Sequence, residues 1–288
     1  MSTQSTTPSS VGVAPWRPLF LSHLSKLDSP EFVLSSLSPA PAGSSTPYLP
    51  RARYCVFRGM WAELPENKHY DGPKNARVYE SDLPTFTTDV RMHKVPEIVA
   101  SSPGHGDASQ SQGSGGGGPV EAVFWIKAAA TQWRFKGDAY IVGPDIEGSE
   151  AERSGVRTVK SKIGERMRVV KEDGKDDWSW ETEVVGHFGN MSPGMRGSFK
   201  NPVPGSAVSL APGNTALALG QKVKGLDDEV ARSNFRVVVI RPDEVEQLDL
   251  SDPDKARRWS FTYVGPKGGE AAQKGADIGE WKMEELWP

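Results

Sequence analysis

Arg53 and Arg58 stand at the two ends of a short apolar run, Arg53-Tyr-Cys-Val-Phe-Arg58. In a strand, successive side chains point to opposite faces, so Arg53, Cys55 and Phe57 share one face and Tyr54, Val56 and Arg58 the other. Guanidinium groups on so apolar a strand are costly to bury without a counter-charge, which implies an anionic partner near the strand's ends. The plain alternative is two rim arginines matched with local acids. A second cluster, Phe86-Thr-Thr-Asp-Val-Arg-Met-His-Lys94, reads as a strand closing at Thr87 and Thr88, with a helix opening near Lys94 or Val95. Hydroxyls, free backbone N–H groups and the cations Arg91 and Lys94 would converge there, an arrangement that holds phosphate. Each charge-assisted hydrogen bond would add roughly 1.5–3 kcal/mol. The alternative is an ordinary helix start capped by Thr88 or Asp89.

A third run, Thr131-Gln-Trp-Arg-Phe-Lys-Gly-Asp-Ala-Tyr140, puts Gln132, Arg134 and Lys136 on one face and Trp133 and Phe135 on the other. A glutamine there offers a donor and an acceptor to a heterocycle edge; a strand with one solvated face is the alternative. No Ser/His/Asp set lies in a GxSxG-type setting, so no catalytic group is assigned. Asp176, Asp177, Glu181 and Glu183 read as solvated helix charges, and His187 beside Phe188 as a packed or solvent-facing side chain. Nine tryptophans, among them Trp178, Trp180, Trp281 and Trp287, offer walls for a planar ligand, although packing is their commoner use.

These runs need elements to carry them. Trp16, Phe20, Leu24 and Leu27 recur at helical spacing behind Pro15 and Pro18. Strands are predicted over 32–37, 53–59, 85–88, 120–127, 131–142, 235–240, 258–264 and 281–286, from β-branched and aromatic residues bounded by turn residues. Helices are predicted over 159–169 and from 176 through 188 towards 199. The order is strands, a hairpin, helices, then strands again, which points to an antiparallel or mixed β-barrel with helices at its side. Residues 1–14 carry seven Ser or Thr and no charge, and read as a disordered tail rather than a signal or transit peptide. Residues 101–119 read as a flexible Gly/Ser insertion, since Gly115 to Gly118 fit no phosphate-loop spacing. Ser38 to Pro50 and the Pro/Gly-punctuated stretch 201–225 also read as outside the core.

Composition narrows the function classes. Of 288 residues, 36% are hydrophobic, with 30 Gly and 23 Pro, which describes a small core plus inserts. No run of 18 apolar residues exists, so no helical membrane span is expected. A net charge of −3 gives no electrostatic reason to expect nucleic acid. The lone Cys55 excludes a disulfide framework and a cysteine-based zinc site, and five scattered histidines argue against a histidine-based one. A reducing, cytoplasmic setting and a soluble chain are expected.

Taken in order, PWRPLF (15–20), YLPRARYCVFRGM (48–60), FTTDVRMHK (86–94), TQWRFKGDA (131–139) and WKMEELWP (281–288) resemble the pyridoxamine 5'-phosphate oxidase-like FMN-binding split-barrel family. The resemblance spans about 15–288. It implies a mainly β (α+β) fold: a six-stranded, antiparallel, Greek-key-like split barrel with flanking helices, in one domain. It implies FMN as cofactor, held by Arg53, Val56, Arg58, Thr87, Thr88, Arg91, Lys94, Gln132 and Arg258, and a homodimer with FMN at the interface. The family chemistry is oxidation of pyridoxamine or pyridoxine 5'-phosphate, with hydride passing to flavin N5 and O2 reoxidising the flavin. The substrate would meet Arg58, His187, Arg196 and Arg257. Departures are Met92 for a serine, His93 for an arginine, Glu285 for an arginine, and no full counterpart of the family's substrate-phosphate residues. An FMN-dependent reductase or oxidase of another small molecule, and a non-catalytic FMN-binding module, therefore stand as alternatives.

Overall fold

The computed structural model describes residues 12–70, 72–103, 112–147, 154–265, 276–278 and 280–288. Most of the expected N-terminal tail and residues 104–111 of the expected insertion lie outside the described residues. Six antiparallel strands close a ring: β1 (Glu31–Pro39), β2 (Tyr48–Met60), β4 (Pro84–Asp89), β5 (Gly115–Ile126), β6 (Thr131–Val142) and β8 (Phe235–Asp249). The order around it is β8-β4-β2-β1-β5-β6, and β6 pairs back onto β8. β9 (Arg257–Tyr263), β11 (Trp281–Leu286) and β10 (Ala276–Ile278) extend the sheet outward from β8. β3 (Tyr79–Ser81) pairs with β7 (Met167–Val169) in a separate ribbon. The helix expected over 159–169 instead ends at Gly164, in α3 (Ser154–Gly164), because Met167–Val169 is taken up by that ribbon.

Alternation explains the barrel. Phe32, Leu34, Phe86, Phe124, Trp133, Phe135, Val238 and Ile240 fill its interior, and Trp16 and Phe20 of the α1 segment (helix Arg17–Leu24) plug it. Phe20 meets Phe124, Trp133 and Phe135 with ring centroids 4.7 to 5.6 Å apart. The uninterrupted run Val237 to Ile240 has a simple cause. Val238 and Ile240 face the barrel, while Val237 and Val239 face a second core that includes Val156 and Val159 of α3 and Phe188 of α4 (Trp180–Gly189). A strand buried on both faces loses its polar alternation. No helix among the described residues is long and apolar enough to cross a membrane.

The described ends of two segments expected to be loose are built in. Ala14 is buried and its N–H donates to Asp82 at 2.9 Å. Gly115 to Gly118 belong to β5, opposite Ile141 to Ala139, with a bulge between Gly116 and Gly118. Gly116 and Gly117 hold φ of 97° and 104°, which only glycine adopts readily. A Cβ at Gly118 would collide with the Ile98 carbonyl and Ser101 Oγ. The run is glycine because helix α2 (Lys94–Ala100) presses its end against the strand.

Candidate functional site

Strand β2 bulges at its far end: its register against β4 shifts between Phe57 and Met60, at Arg58-Gly59. Gly59 has φ of 112° and its carbonyl accepts from Thr85 Oγ1 at 2.8 Å. Bulges re-aim side chains, and Arg58, at this irregularity, lines a cavity of about 620 Å3 with Tyr54, Cys55 and Val56. Strand β4 adds Thr87, Thr88 and Asp89, and the turn into α2 adds Met92 and Lys94. The volume falls within the range of small-molecule sites.

The floor is cationic. Lys94 is buried, donating to Thr88 Oγ1 at 3.1 Å and to the Met92 thioether at 3.0 Å. Burial, reinforced by the Arg53 charge, holds its pKa below the usual lysine range. Besides the Cys55 thiol, the two carboxylates acting on it, Glu97 and Asp89, are bound to Arg53 and Arg91. Arg58 donates to the Met195 thioether at 3.7 Å, and its Nε is buried without a partner among the described residues. Burial lowers its pKa also. Thioethers are weak acceptors and the hydroxyl carries no charge, so both cations are poised for an anion.

Across from them lies a wall the sequence reading missed. Met191, Met195 and Phe199, then Asn201, Pro202, Val203, Pro204, Val208, Leu210 and Leu219 close the cavity. Those from Asn201 on belong to the stretch 201–225, whose prolines and glycines make it read as outside the core. Its signal was the apolar residues scattered between the prolines. Arg91 secures its start: Nη1 donates to the Asn201 carbonyl at 3.0 Å and Nη2 to the Phe199 carbonyl at 3.2 Å.

Of the residues expected to hold a cofactor, Val56, Arg58, Thr87, Thr88 and Lys94 meet in this cavity. The others are engaged elsewhere. Arg53, in register with the buried Leu34, donates to Ser36 Oγ and Glu97 at the barrel mouth. It is the rim arginine paired with a local acid. Arg91 grips Asp89 at 2.6 Å and braces the wall instead of lining the cavity. Gln132 and Arg258 both oppose Leu248, one from each side, so they share a face one strand apart and outside this cavity.

The expected substrate residues other than Arg58 also point away. Arg196 is buried and donates to the carbonyls of Lys224 and Gly225, each at 3.0 Å. Arg257 pairs with Glu285 at 2.8 Å and covers the Trp259 ring; the glutamate in place of an arginine thus has a partner. His187 is buried, stacked on Trp61 with centroids 6.0 Å apart, and desolvation brings its pKa down to about 3. Glu183, expected to be solvated, is buried as well, accepting from Asn75 Nδ2 at 3.0 Å, and desolvation raises it to about 7. Both face inward because α4 packs that side against Trp61 and its surroundings. Trp178 and Trp180 pack on Trp61, and Trp281 on Trp16, rather than around the cavity.

Residues 13–143 match the family model described as the pyridoxamine 5'-phosphate oxidase FMN-binding domain. This is the family the motifs resemble, and its named cofactor, FMN, is the one expected. An uncharacterized protein of Saccharomyces cerevisiae is 20% identical over 96% of this chain and 99% of its own length. The crystal structure of a pyridoxamine 5'-phosphate oxidase-related, FMN-binding protein from Nostoc punctiforme superposes with a TM-score of 0.52 at 16% identity. It covers 96% of this chain and 100% of that one, and the likeness is one of fold.

Proposed function

We propose that this chain is an FMN-dependent oxidoreductase whose flavin phosphate is held by Lys94, Arg58 and the hydroxyls of Thr87 and Thr88. The observation that carries the reading is a buried Lys94 and a half-buried Arg58 lining one cavity with only neutral acceptors to satisfy them. A phosphate replaces those acceptors with charge-assisted hydrogen bonds, the stronger kind. Bound there, FMN supplies two-electron redox chemistry at its ring. The chain's own part is to fix the phosphate end and set Val56 beside the ring, while the 191–219 wall faces the rest of the cavity. No side chain of the cavity is placed to act as a strong base, and flavin chemistry asks for none.

Gln132 and Arg258 fit this reading through a second copy of the chain. They lie together on a face that also carries the half-exposed Trp125, which opposes Gln132 in register. In a homodimer with FMN at the interface, that face would reach the partner's flavin.

The finer reading, oxidation of pyridoxamine or pyridoxine 5'-phosphate, draws its support from the family match. A different small-molecule substrate is favoured by one observation: Arg196, His187 and Arg257 are committed elsewhere, so the lining this chain gives the cavity offers a second phosphate no cation beyond Arg58 and Lys94. The visible spectrum of the purified protein, with fluorescence titration of added FMN, tests flavin binding. A colourless protein that leaves FMN fluorescence unquenched overturns it. Formation of pyridoxal 5'-phosphate from pyridoxamine 5'-phosphate in air, with FMN supplied, separates the two substrate readings.

A further inference from the structure

We infer that the molecule meeting the flavin in this cavity is uncharged and largely apolar, an aromatic compound rather than a phosphate ester, selected by the wall of residues 191–219. The inference rests on the reading that FMN occupies the cationic end.

Charge in the cavity is one-sided. Arg58 and Lys94 come from β2 and the start of α2, and they are the basic residues among its lining. Asp89, the acid among the lining residues, is neutralised by Arg91. Once a flavin phosphate has taken the two cations, the rest of the lining that this chain supplies is neutral, and the partner's Arg258 is read above as turned to the flavin. Its polar members on the far wall are Ser198, Asn201 and Ser206, which carry no charge. The others there are apolar, Met191, Met195, Val203, Leu210 and Leu219 among them. Burying a second phosphate against such a wall leaves its charge uncompensated. Methionines pack well against aromatic faces and adapt to varied outlines.

The exposure of the wall agrees. Leu210 and Leu219 are 66% and 78% exposed although they line the cavity, so they offer apolar surface that a ligand would cover. The segment is also tied down: Ala218 N–H donates to the Lys200 carbonyl at 2.9 Å, and Gln221 Nε2 to the Ala216 carbonyl at 2.9 Å. The stretch that carries Leu219 is therefore anchored beside the cavity.

The test is a comparison of two probes on the full chain loaded with FMN: menadione, neutral and aromatic, and pyridoxamine 5'-phosphate. Binding is read from perturbation of the flavin absorbance and from calorimetry, so no turnover is needed. Menadione is expected to bind more tightly. Leu210→Lys and Leu219→Lys, both at exposed positions that tolerate a charge in the fold, should weaken menadione by about tenfold and improve pyridoxamine 5'-phosphate, while FMN affinity stays as it was. Tighter binding of pyridoxamine 5'-phosphate to the unaltered protein overturns the proposal. So does an unchanged menadione affinity in both variants. If FMN itself fails to bind, the flavin reading falls instead. Menadione calorimetry on the flavin-free parent and its two lysine variants then still tests the wall, which is present without the cofactor.

Discussion

The guanidinium of Arg91 donates to the Asn201 carbonyl at 3.0 Å while gripping Asp89 at 2.6 Å. One side chain thus joins the end of β4 to the start of the segment that forms the far wall. A residue expected to hold a cofactor directly is placed to hold the wall opposite it. Arg91→Ala should therefore loosen residues 201–219 more than it weakens FMN. Limited proteolysis should cut within that segment several times faster in the variant, while FMN affinity falls little. A large loss of FMN affinity with an unchanged cleavage pattern would assign Arg91 to the phosphate instead.

Lys94→Met keeps the buried stem and removes the charge. Losing one charge-assisted hydrogen bond to a phosphate costs about 1.5–3 kcal/mol, or roughly 10- to 150-fold in affinity. FMN titration by fluorescence quenching measures it. Because Lys94 is buried beside Arg53 and Arg58 lies in the same cavity, the variant relieves cationic repulsion. Its unfolding midpoint should hold or rise.

Glu97→Gln should separate stability from affinity. Glu97 accepts from both Ser36 Oγ and Arg53 in a buried cluster. Removing its charge leaves Arg53 uncompensated, at a cost on the order of 2–4 kcal/mol in urea unfolding. The freed positive charge near Lys94 should tighten FMN several-fold. If both quantities fall together, Glu97 only supports the fold.

Glu183 gives the stability curve a slope. Its folded pKa of about 7 lies above the unfolded value, so its contribution is fully present below about pH 4.5 and is lost as pH rises through 7. His187 works the other way: its folded pKa of about 3 lies below the unfolded value, so its contribution is present above about pH 6.5 and fades as pH falls towards 3. Glu183→Gln keeps the Asn75 contact and removes the first slope. The variant should gain on the order of 2–3 kcal/mol over the parent at pH 8 relative to pH 4. Urea melts at the two pH values check this, and an equal difference at both would show that Glu183 is not desolvated as described.

Much of the architecture was legible in the chain because β-barrels write themselves as alternation. Trp133 and Phe135 inward, with Arg134 and Lys136 outward against Glu121, Glu244 and Glu246, follow from a period of two. The cavity floor was legible for a related reason: Arg58, Thr87, Thr88 and Lys94 carry side chains that apolar packing does not explain. The sequence by itself determined the ring of strands, the aromatic core and the chemical character of the floor. Tertiary structure decided the partners. Arg53 and Arg91 look like free cations in the chain, but Glu97, Asp89 and the Asn201 carbonyl meet them only on folding, across separations no local pattern encodes. The glycine run was settled by the approach of α2, and the apolar wall by the return of 201–219 over β2 and β4. Local pattern fixes which face a side chain occupies. What stands opposite that face depends on segments brought together from distant parts of the chain.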